Sequence, residues 1–366
     1  MIKRTPAVVS QDNESAQPGL RFPAEWETHE ATWIGWPHHA ADWPGKFATI
    51  PWVYGEIVRR ITAGEKARVL VDSLAHEKRA RRILLRAGVK LSQVEFFRVP
   101  TDRGWTRDFG PLFVRANCDC SLAIAGFRFN GWAKYSNHHR DSQVARKLAA
   151  RLRLPFIAVK ADGRDFVLEG GAIDVNGRGT LLTTEECLLD PEVQPRNPGL
   201  SRDETERVLH KSLGAANVLW FGRGIAGDDT HGHVDDLCRF VGPRTVVLCR
   251  ENDPSDANYQ LLAENWERAQ GMRLEDGSKL DVVPLAMPAP LYFDGQRLPA
   301  SYANFYIANS AVFVPTFNDP NDRVALDTLA QVIRDRPVIG IHAVDLVWGL
   351  GTLHCLTQQQ PVLSLA

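Results

Sequence analysis

The run Gly349-Leu350-Gly351-Thr352-Leu353-His354-Cys355 sets one cysteine behind a glycine-flanked turn close to the C-terminus. Glycine allows tight turns and the close approach of a ligand, so Cys355 is a candidate nucleophile. Its thiol stays mostly protonated at neutral pH unless a cationic neighbour or substrate favours the thiolate. A lone cysteine is more often a small buried hydrophobe, and Cys118, Cys120, Cys187, Cys238 and Cys249 are read that way.

Upstream, His233 and Asp235 lie in the polar, turn-rich stretch 227–236. Read as an extended segment, alternation points both to one side, which suits an acid/base imidazole beside a carboxylate that grips a cation. The run His231-x-His233-x-Asp235 also resembles the ligand pattern of some zinc hydrolases, so acid/base work, a metal site and a solvated loop all stay open. Cys118-Asp119-Cys120 has no second pair at ligand spacing. Glu169, before Gly170-Gly171, and Asp108, between Arg107 and Phe109-Gly110-Pro111, read as strand ends whose plainest role is an exposed ion pair, Arg107 being the ready partner of Asp108. Two carboxylates can, however, hold a planar guanidinium bidentately while aiming its carbon at a thiolate. Several acids with one cysteine therefore suggest guanidine chemistry.

The elements that must position these residues read as short buried strands separated by amphipathic helices, an α/β pattern. Strands are expected at 66–73, 93–100, 111–115, 122–130, 155–160, 217–222, 280–285, 304–308, 312–315 and 337–342, with helices at 76–85, 142–152, 203–213, 258–269 and 322–334. Asn176-Gly177 is the strongest hairpin signal, since both positions tolerate positive φ. Gly242-Pro243 marks a second hairpin, and Ser201-Arg202-Asp203-Glu204 has the spacing of a capping box. A strand hairpin, a helix and a further strand recur at very roughly 70 residues.

Composition narrows the partners. The 366 residues are 44% hydrophobic and 24% charged, with a formal net charge of -1 and no basic block, which sets nucleic acid aside. Residues 1–20 run polar and are expected to form a flexible tail, leaving 21–366 as one catalytic domain. No apolar run is long enough to cross a membrane, and six sparse cysteines suit a reducing cytoplasm. A homo-oligomer is the usual form of such enzymes.

With these residues in view, the chain resembles the agmatine deiminase family, which includes the Porphyromonas-type peptidylarginine deiminases, within the guanidino-group-modifying superfamily. The resemblance runs through Pro23-Ala24-Glu25-Trp26-Glu27, Ala31 to Pro37, Trp105 to Pro111, Phe129-Asn130-Gly131-Trp132, Leu168 to Gly171, Gly232 to Asp235, Ser301 to Asn309 and Leu353 to Pro361. It implies a five-bladed pseudo-symmetric α/β propeller of ββαβ units with a central substrate funnel. It also implies a cofactor-free, metal-free hydrolase that converts agmatine to N-carbamoylputrescine and ammonia in putrescine biosynthesis, or acts on peptidylarginine or another alkylguanidine. By the same resemblance Cys355 is the nucleophile, His233 the acid/base, and Asp108 and Asp235 the guanidinium-binding carboxylates. Glu169 orients the histidine or contacts the guanidine, Trp105 lines the channel, and Asp229 lies near the distal amine. Where the best-known members read Gly-Gly-Gly-Asn-Ile-His-Cys, this chain has Leu350 and Thr352; where they read Asn-Trp-Arg, it has Ala41-Asp42-Trp43-Pro44. Both departures bear on substrate choice.

Overall fold

Apolar strand runs such as Lys66–Val71 and Thr245–Arg250 are buried almost throughout, as strands covered on both faces must be. In the computed structural model, which describes residues 8–10, 19–116 and 121–363, such runs form the middles of five sheets. Each sheet repeats one scheme: an antiparallel pair, then a helical crossover to a parallel strand. Leu112–Ala116 pairs with Leu122–Gly126, which lies parallel to Phe156–Ala158. Asp174–Val175, Thr180–Thr184 and Asn217–Phe221 follow the same order, as do Cys238–Phe240, Thr245–Arg250 and Asp281–Ala286. Tyr306–Ile307, Val312–Thr316 and Val338–His342 make the fourth set. In the fifth, strands far apart in sequence meet: Thr357–Pro361 pairs antiparallel with His29–Gly35, which is parallel to Lys66–Val71. The repeating unit expected from sequence is thus present in a mixed α/β architecture. Among the described residues no sheet closes on itself.

Crossover helices cover the sheets with their apolar faces. Ile50–Ile61 buries Ile50, Tyr54, Ile57, Val58 and Ile61 at helical spacing. Arg202–Leu213 begins at the expected capping box, where Ser201 and Glu204 satisfy each other's backbone donors, and stops at Gly214, whose φ of 70° is the left-handed conformation that ends helices.

Three local expectations change. The Asn176-Gly177 turn is not a two-residue hairpin: Val175 pairs with Leu181, and the Asn176 side chain accepts from the amides of Arg178 and Thr180 to shape a longer loop. Neither Asp108 nor Glu169 ends a strand: Asp108 is on the helical turn Thr106–Phe109, and Glu169 caps the 3-10 turn Gly170–Ala172. His233 and Asp235 are not on extended chain, since His233 caps the 3-10 turn Val234–Asp236. Cys118-Asp119-Cys120 and most of 1–20 lie outside the described residues; within the latter, Val8–Ser10 runs parallel to Phe156–Ala158. Among the described residues no helix is long and apolar enough to cross a membrane.

The site is positioned by what precedes the first strand of each set. These segments are Thr106–Phe109, Gly170–Ala172, Val234–Asp236, the bend 301–304 and Leu353–Leu356. They meet in a ring. The Gly171 amide donates to Asp108 Oδ1 at 3.1 Å, and Gly171 packs so closely on His233 that a Cβ would lie 2.6 Å from Nδ1. Asn304 Nδ2 donates to Asp236 Oδ1 at 2.9 Å, and the His354 amide donates to Asn304 Oδ1 at 3.0 Å. Arg107 Nε returns to the His354 carbonyl at 3.3 Å.

Candidate active site

Residues far apart in sequence, Asp108 and Cys355 among them, face one pocket of about 310 Å³ because their turns share this ring. Cys355 ends the pocket and is only 7% exposed. Gly351 lets the Cys355 turn pass against Trp105, where an added Cβ would lie 2.9 Å from the indole. Leu350, standing where the resembling family has glycine, takes a left-handed φ of 70° and lines the pocket. The thiol accepts a hydrogen bond from Asn304 Nδ2 at 3.0 Å and lies 3.8 Å from Asp235 Oδ2. Burial, followed by the carboxylates of Asp235, Asp236 and Asp108, holds its pKa well above the usual thiol value. Among these acids alone the sulfur is a thiol, and a cation arriving between them favours the thiolate.

His233 is fully buried beneath the pocket. Its Nδ1 lies 3.9 Å from both Asp108 Oδ1 and Asp235 Oδ1, and its Nε2 is 4.0 Å from Glu169 Oε2. These distances are too long for direct hydrogen bonds. Among the described residues His233 Nε2, Glu169 Oε2 and Asp235 Oδ1 have no hydrogen-bond partner. Buried polar atoms are rarely left unpaired, so three around one imidazole mark a place built for a polar ligand or water. Burial, then the Arg196 guanidinium, keeps the imidazole neutral at physiological pH.

The acids are held as rigidly. Asp108 accepts from Trp132 Nε1 at 2.9 Å and from the Gly171 amide, while burial, then Glu169, raises its pKa to about 7. Glu169 is not exposed; Arg196 Nε donates to its Oε1 at 3.0 Å within a buried pair. Nor is Arg107 the partner of Asp108: it reaches Glu25 and Gln359 instead. Burial, then the Asp108 charge, raises the pKa of Asp235 well above the carboxylate range.

The expected residues thus converge: Cys355, His233, Glu169, Asp108 and Asp235 form one centre, and Trp105 lines its pocket against Trp43 at 5.2 Å between ring centroids. Asp229 lies farther out in the pocket, where it is already paired with Lys134 and accepts from Tyr135 Oη at 2.7 Å. His231 turns away from the centre, its Nε2 2.9 Å from Asp190 Oδ2. Among the described residues the two groups able to gather around one ion are Glu169, Cys187 and His233, and Asp235, Asp236 and Cys355; neither is the His231-x-His233-x-Asp235 run. Sequence reasoning assigned no role to Asn304, which holds the thiol, or to Glu25, Arg196 and His354, which brace the acids. Glu25, Asn304 and His354 do lie within the segments that carry the resemblance, and that was their only signal.

Buried carboxylates beside a cysteine and a neutral histidine are the arrangement of a guanidine-modifying enzyme, and comparison with known proteins agrees. The Porphyromonas-type peptidyl-arginine deiminase family model matches residues 21–361, and the chain belongs to that family. It is 34% identical to the agmatine deiminase of Medicago truncatula over 94% of this chain and 97% of that protein. The agmatine deiminase structure of Enterococcus faecalis superposes with a TM-score of 0.85 at 30% identity, covering 94% of this chain and 96% of the other. A substrate-bound cysteine-to-serine agmatine deiminase of C. jejuni gives 0.82 at 29% identity, over 93% and 96%.

Proposed function

We propose that this chain hydrolyses agmatine and water to N-carbamoylputrescine and ammonia in the cytoplasm, as a step of polyamine metabolism. The carrying observation is the cluster of unpartnered buried atoms, Asp235 Oδ1, Glu169 Oε2 and His233 Nε2, beside the Cys355 thiol. A guanidinium supplies donors for the oxygens, and a bound water or leaving amine supplies the partner for the imidazole.

Asp108 and Asp235 grip the cation, and its charge favours transfer of the Cys355 proton to neutral His233. The thiolate adds to the guanidinium carbon, and protonated His233 gives its proton to the departing ammonia. This leaves an amidino group on sulfur. Neutral His233, held by Glu169, then removes a proton from water as it attacks that carbon. The carbon–sulfur bond breaks, and ureido product and thiol result. Trp105 flanks the alkyl chain, and Asp229 takes the distal ammonium after exchanging it for Lys134. The five strand sets are placed around a pseudo-fivefold axis in this reading, which explains why five equivalent turns converge.

A second reading, deimination of an alkylguanidine without a distal cation or of a peptidyl-arginine, draws on one observation: Asp229 is already neutralised by Lys134. Ammonia release with agmatine, arginine and a peptidyl-arginine side by side separates the two. Agmatine should give the highest kcat/KM, chelator should leave it unchanged, and Cys355→Ser should lower it at least ~1000-fold. Preferred turnover of the peptide would replace the first reading by the second.

A further inference from the structure

His354, next to the nucleophile, has no part in the steps above, yet its ring joins two carboxyl groups. Nδ1 lies 2.7 Å from Asp235 Oδ2, and Nε2 lies 2.9 Å from Glu25 Oε2. All three side chains are buried. Glu25 is committed as an acceptor: besides His354 it receives Arg107 Nη2 at 3.1 Å, Arg239 Nη2 at 3.0 Å and the Ile307 amide at 2.8 Å. A carboxyl accepting four hydrogen bonds has no place for a proton of its own, so His354 Nε2 must carry hydrogen. One proton then remains for the short contact between Nδ1 and Asp235, and it can reside on either atom.

We infer that His354 is a positioning residue that stores the Asp235 proton, allowing Asp235 to become a carboxylate when a guanidinium arrives without any proton leaving the site. This rests on the reading that the cation sits against Asp108 and Asp235. Before the cation arrives the proton is on Asp235 Oδ2, because Asp235 is buried beside Asp108 and Asp228. A bound guanidinium against the unpartnered Asp235 Oδ1 reverses that preference. The Oδ2–H bond breaks, an Nδ1–H bond forms, and the resulting imidazolium lies between the Asp235 and Glu25 carboxylates. The other groups facing the ring are the Arg107 and Arg239 guanidinium groups; both oppose its protonation, and Glu25 between them offsets that opposition. The resting state agrees with the electrostatic directions: burial, then Arg107 and Arg239, lower the His354 pKa, while Asp235 is raised.

The test counts protons. Methylguanidine binding to Cys355→Ser protein is measured by calorimetry in buffers of different ionisation enthalpy, alone and with His354→Asn added. Asparagine fills the space and can hydrogen-bond but cannot take up a proton. Both proteins release whatever fraction Asp108 yields, and the His354→Asn protein should release about one proton more, because Asp235 must then deprotonate to solvent. Its affinity should accordingly fall up to about tenfold per pH unit on acidification where the parent changes less. Nitrogen-15 spectra of histidine-labelled Cys355→Ser protein give a readout without disturbing His354: its ring should pass from one N–H to two on binding. Equal proton release by the two proteins, or an unchanged His354 ring, overturns the inference and leaves the deiminase reading standing. Absence of methylguanidine binding in both proteins overturns the guanidinium site and this inference with it.

Discussion

At the residue scale the site places charge where its solvation is poorest, and Asp108 shows the consequence. Its pKa near 7 means that much of the carboxyl is neutral in mildly acidic solution, whereas gripping a cation requires the carboxylate. The kcat/KM for a guanidine should therefore fall as pH drops through about 7. Stability moves the other way. Between the ordinary carboxylate range near pH 4 and about 7, the folded protein holds a proton on Asp108 that the unfolded chain has lost, so this group's contribution weakens as pH rises. Asparagine cannot ionise, and Asp108→Asn should gain on the order of 2 kcal/mol over the parent above pH 7, with little difference near pH 4. The same variant, and Asp235→Asn, should lose at least about 100-fold in kcat/KM. Denaturant melts and steady-state kinetics across pH check both; unchanged kinetics would refute the cation clamp.

At the element scale, five short turns rather than the strands themselves hold the candidate residues, and they fit closely together. Gly171 is the tightest case: a Cβ would meet His233 Nδ1, Asp108 Oδ1 at 2.9 Å and Asp235 Oδ2 at 3.1 Å. Gly171→Ala should lower kcat by about 100-fold by displacing the imidazole, while costing only about 1–3 kcal/mol of stability. Single-turnover kinetics beside thermal melting would separate the two effects, and retained kcat would show the histidine is not held where the structure puts it. Periodicity and capping signals made the crossover helices readable, the Ser201 box most clearly. The turns were harder to read. Four residues of one helical turn, such as Thr106–Phe109, are too few to show a period, so Asp108 looked like a strand end.

At the scale of the whole molecule, strands from opposite halves of the sequence anchor the candidate site. Thr357–Pro361, immediately after the Cys355 turn, pairs with His29–Gly35, and Trp33 Nε1 donates to Gln360 Oε1 at 2.9 Å. Removing residues 357–366 should free Cys355 from its anchor and bare a buried strand edge, giving protein that is inactive and aggregates; a soluble, active truncation would show that this closure is dispensable. The sequence by itself determined the alternation of short strands and helices, because hydrophobic period and turn chemistry are local. It also singled out Cys355, His233, Glu169, Asp108 and Asp235, because their residue types and ordered motifs carry chemistry whatever their distance apart. Only the tertiary structure decided that these five share one centre, that Arg107 braces Glu25 rather than Asp108, that His231 faces away from His233, and that Asn304 holds the thiol. Those pairings join residues scores to hundreds of positions apart, and burial decides which charges remain. No local pattern encodes either one.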